Sequence, residues 1–179
     1  MAQRVVETWF GVVVLSAEAG AVTGLRWRGA QERPDGRPRG REPGPDSGAD
    51  SGAVSAPESG MTHALLDEAA AQLCAYAEGR LRGFDLPLRV VGSDFQRRVC
   101  DAMRAIPYGE TRSYGELARD LAVSAQALGR ACGGNPIPVI IPCHRVLGAG
   151  GALVGYSGRG GVETKLALLR HEGAGGYLI

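Results

Sequence analysis

Lysine is nearly missing from this chain: of twenty basic residues, only Lys165 is a lysine. The codon bias of a GC-rich genome accounts for such a shortage, so it carries little functional weight by itself. Charge of one sign is missing too. Nineteen acidic residues leave a formal charge of +1, which excludes a strong overall pull towards nucleic acid or an acidic membrane surface. Residues 93–179 hold ten basic side chains against seven acidic ones, about +3, a weak local excess. No C-x-x-C pair occurs. Cys74, Cys100, Cys132 and Cys143 lie far apart, and three histidines do not complete a zinc set, so neither metal nor cofactor is expected. No signal peptide and no apolar run of membrane length is visible, which reads as reduced thiols in a cytoplasmic protein that does not span a membrane. No internal repeat is present.

What remains is enough for a folded protein. At 44% hydrophobic over 179 residues, the chain can bury an ordinary core in one large or two small domains. Residues 4–15 (RVVETWFGVVVL) and 22–28 (VTGLRWR) are rich in Val, Leu and Trp, and the Ala-Glu-Ala-Gly between them predicts a hairpin. From Gly29 to Gly60 almost no large apolar residue occurs, so a solvated, mobile loop is expected. Thr62 can cap a helix carrying Leu65, Leu66, Ala69, Leu73 and Tyr76 on one face and ending near Gly79. An extended link, FDLPLRVVG, follows. A second helix from Ser93 stops at Pro107-Tyr108-Gly109. Two short helices, one beginning at Ser113 and one spanning about Ser124 to Cys132, are joined closely enough to suggest a helix-turn-helix. Beyond Gly133-Gly134 come an apolar run into Cys143, a glycine-rich hairpin or loop over 148–161, and a last helix from Val162 to about His171.

The stretch Ile140 to Val146, IIPCHRV, sets a cysteine beside a histidine and an arginine behind a proline. A nucleophilic cysteine needs a base, a cation or a helix N-terminus to become thiolate. His144 supplies the base. On an extended chain neighbouring side chains point to opposite faces, so Cys143 and His144 are expected to communicate through a water or a turn.

FQRRVCDAMRAIPYGETRSYGELA at 95–118, GNPIPVIIPCHRV at 134–146, GYSG at 155–158 and LLRHEG at 168–173 together resemble the O6-alkylguanine-DNA alkyltransferases, or methylated-DNA–protein-cysteine methyltransferases. The similarity runs over about residues 62–179. It implies an α/β (α+β) architecture, with a small ribonuclease-H-like α/β domain over 1–88. A helical domain over 89–179 would carry the active-site cysteine and a helix-turn-helix that enters the DNA minor groove. It also implies the roles. Cys143 would take an alkyl group from O6 of a flipped guanine, with O4-alkylthymine as a further candidate, its proton passing through His144, a water and Glu172. Tyr114 would give a proton to the departing base. Asn135, Val146, Tyr156 and Ser157 would form the base-binding pocket, and Ser113, Gln126, Arg130 and Arg145 would contact DNA. The implied partner is duplex DNA containing alkylated guanine, met by a monomer that acts once.

The chain departs from that pattern near the DNA. Where the family usually carries an arginine that wedges into the duplex, this sequence has Gln126, with Arg130 four residues on along the same helical face. The preceding turn lacks the usual Gly-x-Pro, and Arg159-Gly160 looks inserted after GYSG. Rival expectations are an alkyltransferase for bulky or non-duplex substrates, a lesion-binding relative that does not transfer, and a helix-turn-helix regulator.

Overall fold

The computed structural model describes residues 1–29, 56–156, 158–174 and 176. Three strands open the chain: β1 (Ala2–Thr8), β2 (Gly11–Glu18) and β3 (Ala21–Trp27), an antiparallel meander in sequence order. The apolar run 4–15, expected as one strand of a hairpin, is therefore two strands folded at Trp9-Phe10. Thr8 pairs with Gly11 across that turn, and Gly11 has φ +122° with Trp27 so close that an added Cβ would stand 3.1 Å from its ring. Only glycine suits both conditions. β2 is the middle strand and is buried at five successive positions, Val13 to Ala17.

Helix α1 (Ala56–Ala77) packs across β1 and β2 and buries Leu66, Ala69, Leu73 and Tyr76, spaced to share one face. It begins before Thr62, which lies inside it. The loop expected over 29–60 falls mostly on residues 30–55, outside the described residues, and residues 56–60 are helical instead. The link after α1 runs beside β3, where Arg89 N donates to Val22 O at 2.9 Å.

The second half holds α2 (Asp94–Arg104), β4 (Arg112–Ser113), α3 (Tyr114–Asp120), α4 (Ala125–Gly133), β5 (Val146–Leu147) and α5 (Val162–His171). Their starts follow from capping. Ser93, Ser113 and Ser124 accept hydrogen bonds from the third backbone amide beyond each, and Ser113 forms a reciprocal box with Glu116. α3 and α4 make the anticipated helix-turn-helix. Ala122 sits in their turn at φ +55°, a left-handed conformation that costs a non-glycine residue about 1 kcal/mol.

The apolar run ahead of Cys143 is not a strand. Ile141 N returns to Ile137 O at 2.8 Å, Val139 takes φ +73°, and Pro142 leads into a single 3₁₀ turn, Cys143–Arg145. Asn135 makes this compact fold possible by donating to Ile141 O at 2.8 Å and accepting from Ile137 N at 3.0 Å. Buried residues of both halves, from Val6 to Leu168, form one continuous core. Among the described residues no helix is long and apolar enough to cross a membrane.

Candidate active site

Parallel pairing of β4 with β5 sets Arg112 against Val146 and Ser113 against Leu147. The start of α3 is thereby drawn to the segment that follows Cys143. The result is a half-open pocket of about 240 Å³ lined by Cys143, Tyr114, Tyr156 and Cys132, with Gly129, Gly133 and Gly155 completing its wall. α4 contributes Gly129, Cys132 and Gly133, all small. A Cβ added at Gly129 or Gly133 would meet nothing within 4 Å, so protein packing does not require glycine there.

Behind the pocket lies a buried ionic cluster. Since Cys143, His144 and Arg145 occupy a 3₁₀ turn rather than an extended chain, their side chains fan out about a third of a turn apart. His144 is fully buried, and its Nε2 lies 2.8 Å from Glu172 Oε1, in direct contact with no bridging water. Its Nδ1 has no hydrogen-bond partner among the described residues. Arg145 clamps the same carboxylate from two sides, Nε to Oε2 at 2.7 Å and Nη2 to Oε1 at 2.9 Å, while Nη1 donates to Ile106 O at 2.6 Å. Glu172 caps the C-terminal end of α5, the end where the helix dipole disfavours an anion. Arg145 offsets both that and the loss of water.

The electrostatics follow. Burial would raise the Glu172 carboxyl, but hydrogen bonds from His144 and Arg145 outweigh it and hold the group well below the usual carboxylate range. Burial lowers His144, against the pull of Glu172, so the imidazole is neutral and able to accept a proton. Cys143 is pushed up to about 11 by burial, opposed by the Asn135 amide and the charge of Lys165. At rest it is a thiol. Tyr114 rises to about 12 through burial and the neighbouring Cys132 and Cys143, and so keeps its proton at neutral pH. The buried hydroxyl of Tyr156, a residue of the pocket wall, has no hydrogen-bond partner among the described residues.

Of the residues singled out from sequence, Cys143, Tyr114 and Tyr156 meet at the pocket, and His144 and Glu172 stand together behind it. Asn135 and Val146 are buried beside them, Asn135 bracing the turn and Val146 accepting from Lys165. Gln126 and Arg130 lie on the exposed side of α4. Two expected DNA contacts are engaged within the protein. Arg145 is only 6% exposed and committed to Glu172, because an arginine inside the core must keep its counter-charge. The Ser113 hydroxyl is engaged in the α3 cap. Ser157 lies outside the described residues.

Sequence reasoning missed Cys132, Tyr76 and Lys165. Cys132 and Tyr76 gave no signal beyond helical spacing. Lys165 did: in a chain that uses arginine everywhere else, one surviving lysine marks a place arginine cannot fill. Its ammonium is fully buried and donates to the carbonyls of Val146 (2.6 Å), Val154 (2.9 Å) and Gly155 (3.3 Å). Three donors on one compact atom match three converging acceptors, which a flat guanidinium does not.

Fold and site together define a helix-turn-helix protein with a pocketed cysteine backed by a histidine–glutamate pair. Residues 94–174 match the family model described as 6-O-methylguanine DNA methyltransferase, DNA binding domain. The methylated-DNA–protein-cysteine methyltransferase of Mycolicibacterium paratuberculosis is 52% identical over 106 residues, 58% of this chain and 63% of that protein. The Mycobacterium leprae protein of the same name is 48% identical over 118 residues, 65% of this chain and 68% of its own. The crystal structure of Mycobacterium tuberculosis OGT in complex with DNA aligns with a TM-score of 0.72 at 39% identity, covering 98% of this chain and 96% of that one. The chain belongs to the methylated-DNA–protein-cysteine methyltransferase family.

Proposed function

We propose that this protein repairs DNA by moving an alkyl group from guanine O6 onto Sγ of Cys143. The observation that carries the reading is the pocket itself. A thiol and two tyrosines, Tyr114 and Tyr156, line one space, and a neutral histidine tied to a carboxylate lies directly behind. His144 takes the thiol proton, through Nδ1 and a water if the ring does not reach the sulfur, and Glu172 stabilises the imidazolium that forms. The S–C bond forms as the C–O6 bond breaks. Tyr114 gives a proton to the departing guanine and is restored by the proton held at His144. The product is a thioether, so each molecule acts once, and the chemistry calls on no cofactor.

A base stacked in a duplex cannot reach a buried thiol, so the guanine must be flipped into the pocket. The α3–α4 unit would grip the minor groove, with Gln126 and Arg130 on the outward side of α4. The DNA complex of the mycobacterial relative supports DNA as partner. We read the protein as a cytoplasmic monomer in which residues 1–88 and 89–179 form the two domains.

Incubation with a duplex carrying O6-methylguanine should add one methyl mass to the peptide containing Cys143, and a Cys143→Ser variant should gain none. Folded protein that binds the duplex tightly with its thiol still free would instead identify a lesion-binding relative. The open space beside Gly129 and Gly133 favours a second reading, in which adducts larger than methyl are accepted. Running O6-benzylguanine in parallel decides it: transfer no slower than methyl supports the larger substrate, and no transfer rejects it.

A further inference from the structure

We propose that Tyr76, on the helix of the N-terminal half, is a positioning residue for the His144–Glu172 pair and ties that half of the chain to the chemistry at Cys143. The inference rests on the function just given and deepens it. Tyr76 is fully buried in the last turn of α1, and its hydroxyl donates to Glu172 Oε1 at 2.8 Å. That oxygen is the one His144 Nε2 touches, also at 2.8 Å. Three donors therefore converge on a single carboxylate oxygen: the Tyr76 hydroxyl, His144 Nε2 and Arg145 Nη2. The other oxygen receives Arg145 Nε and, at 3.4 Å, the amide of Gly109.

The hydroxyl is aimed rather than merely enclosed. The Tyr76 ring is held edge or tilted against Phe10, Phe84, Tyr108 and His171, with centroids 5.2–6.4 Å apart. Its backbone carbonyl is anchored by His171 Nε2 at 2.7 Å, one residue before Glu172. α1 thus grasps the end of α5 at two successive residues. Burial and the adjacent carboxylate keep the phenol protonated throughout the working range, so it acts only as a donor.

A carboxylate oxygen shared among three donors disperses its charge and holds His144 less basic than two donors would. Removal of the Tyr76 hydroxyl leaves Glu172 a stronger acceptor for His144, so the imidazole gains affinity for its proton and the relay loses its fixed geometry. Among the described residues, the other ionisable groups facing this pair are Arg145, Lys165, Cys143, Tyr108, Tyr156 and His171, and none is altered by taking one oxygen from Tyr76.

The test is Tyr76→Phe, which keeps the ring and its contacts, with Tyr76→Met as a second hydroxyl-free variant should the first fail to fold. Phe84→Leu is the control, loosening the same aromatic cluster while leaving the hydroxyl in place. Cys143 alkylation by O6-benzylguanine is followed against pH, and the His144 ring is titrated by NMR. The expected result is transfer slowed roughly tenfold near neutrality, the scale of one hydrogen bond to a charged group. The rising limb of the pH profile and the His144 titration should both move up by roughly half to one pH unit, while Phe84→Leu moves neither. Unshifted limbs in the hydroxyl-free variants, with rates that merely track thermal stability as in Phe84→Leu, would overturn the inference. If the wild-type protein alkylates Cys143 with neither methyl nor benzyl substrate, the function proposed above falls and this role falls with it.

Discussion

Glu172 answers to two demands, and they can be separated by pH. Its carboxylate neutralises Arg145 inside the core and orients His144 beside Cys143. Replacement by glutamine keeps the shape but leaves the buried guanidinium without its counter-charge, and such a loss typically costs about 3–5 kcal/mol. Urea unfolding of Glu172→Gln at pH 7 should show a decrease of that order. The acid behaviour follows from the sign of each shift. Glu172 has a folded pKa depressed below its unfolded value of about 4.3, so its contribution is complete above that pH and disappears as pH falls towards the folded value. His144 is also depressed, so below its unfolded value of about 6.5 the unfolded chain takes a proton that the folded chain refuses. Wild-type stability should therefore fall in two stages on acidification. In Glu172→Gln the lower stage should be absent.

At the scale of the element, α4 does two jobs with neighbouring residues, since positions 126, 129, 130 and 133 follow one another along a single helical face. Gly129, Cys132 and Gly133 leave room in the pocket, while Gln126 and Arg130 are exposed one turn apart. On the proposed DNA-binding role, Arg130 supplies the positive charge that Gln126 does not. If Arg130 meets phosphate, Arg130→Ala should weaken binding to every duplex alike and reduce the salt slope by about one. As a wedge in the base stack it would slow transfer from duplex far more than from free base, and Gln126→Arg would speed duplex repair. Transfer rates and binding isotherms at several salt concentrations distinguish these outcomes. If neither substitution changes any of them, α4 does not face DNA.

At the scale of the whole molecule, the described residues of the two proposed domains share most of their core. Buried residues from β1 to α5 form one cluster, Leu25 N donates to Pro136 O at 2.9 Å, and the Trp27 ring packs edge-on against Tyr156. The N-terminal half thus supports the pocket wall as well as Glu172. A fragment comprising residues 92–179 should keep helical far-UV circular dichroism but lose its near-UV signal and its cooperative thermal transition. A cooperative transition in that fragment would show that the shared core is dispensable.

Whatever depended on near neighbours was already written in the sequence. Serine caps at 93, 113 and 124, the stop at Pro107-Tyr108-Gly109 and the spacing of Leu66, Ala69, Leu73 and Tyr76 each act within one or two helical turns, and the expected helices are present, although α1 starts at Ala56 rather than at Thr62. The PCHR motif likewise announced a reactive thiol. Tertiary structure decided the rest. VVETWFGVVV folds into two strands because Trp27 crowds Gly11, a contact sixteen residues away. Arg145 turns inward rather than towards solvent because Glu172, twenty-seven residues on, lies beneath it. Tyr76 and Lys165 meet their partners across ninety-six and nineteen residues. No local pattern encodes such contacts, since they exist only once the core has closed.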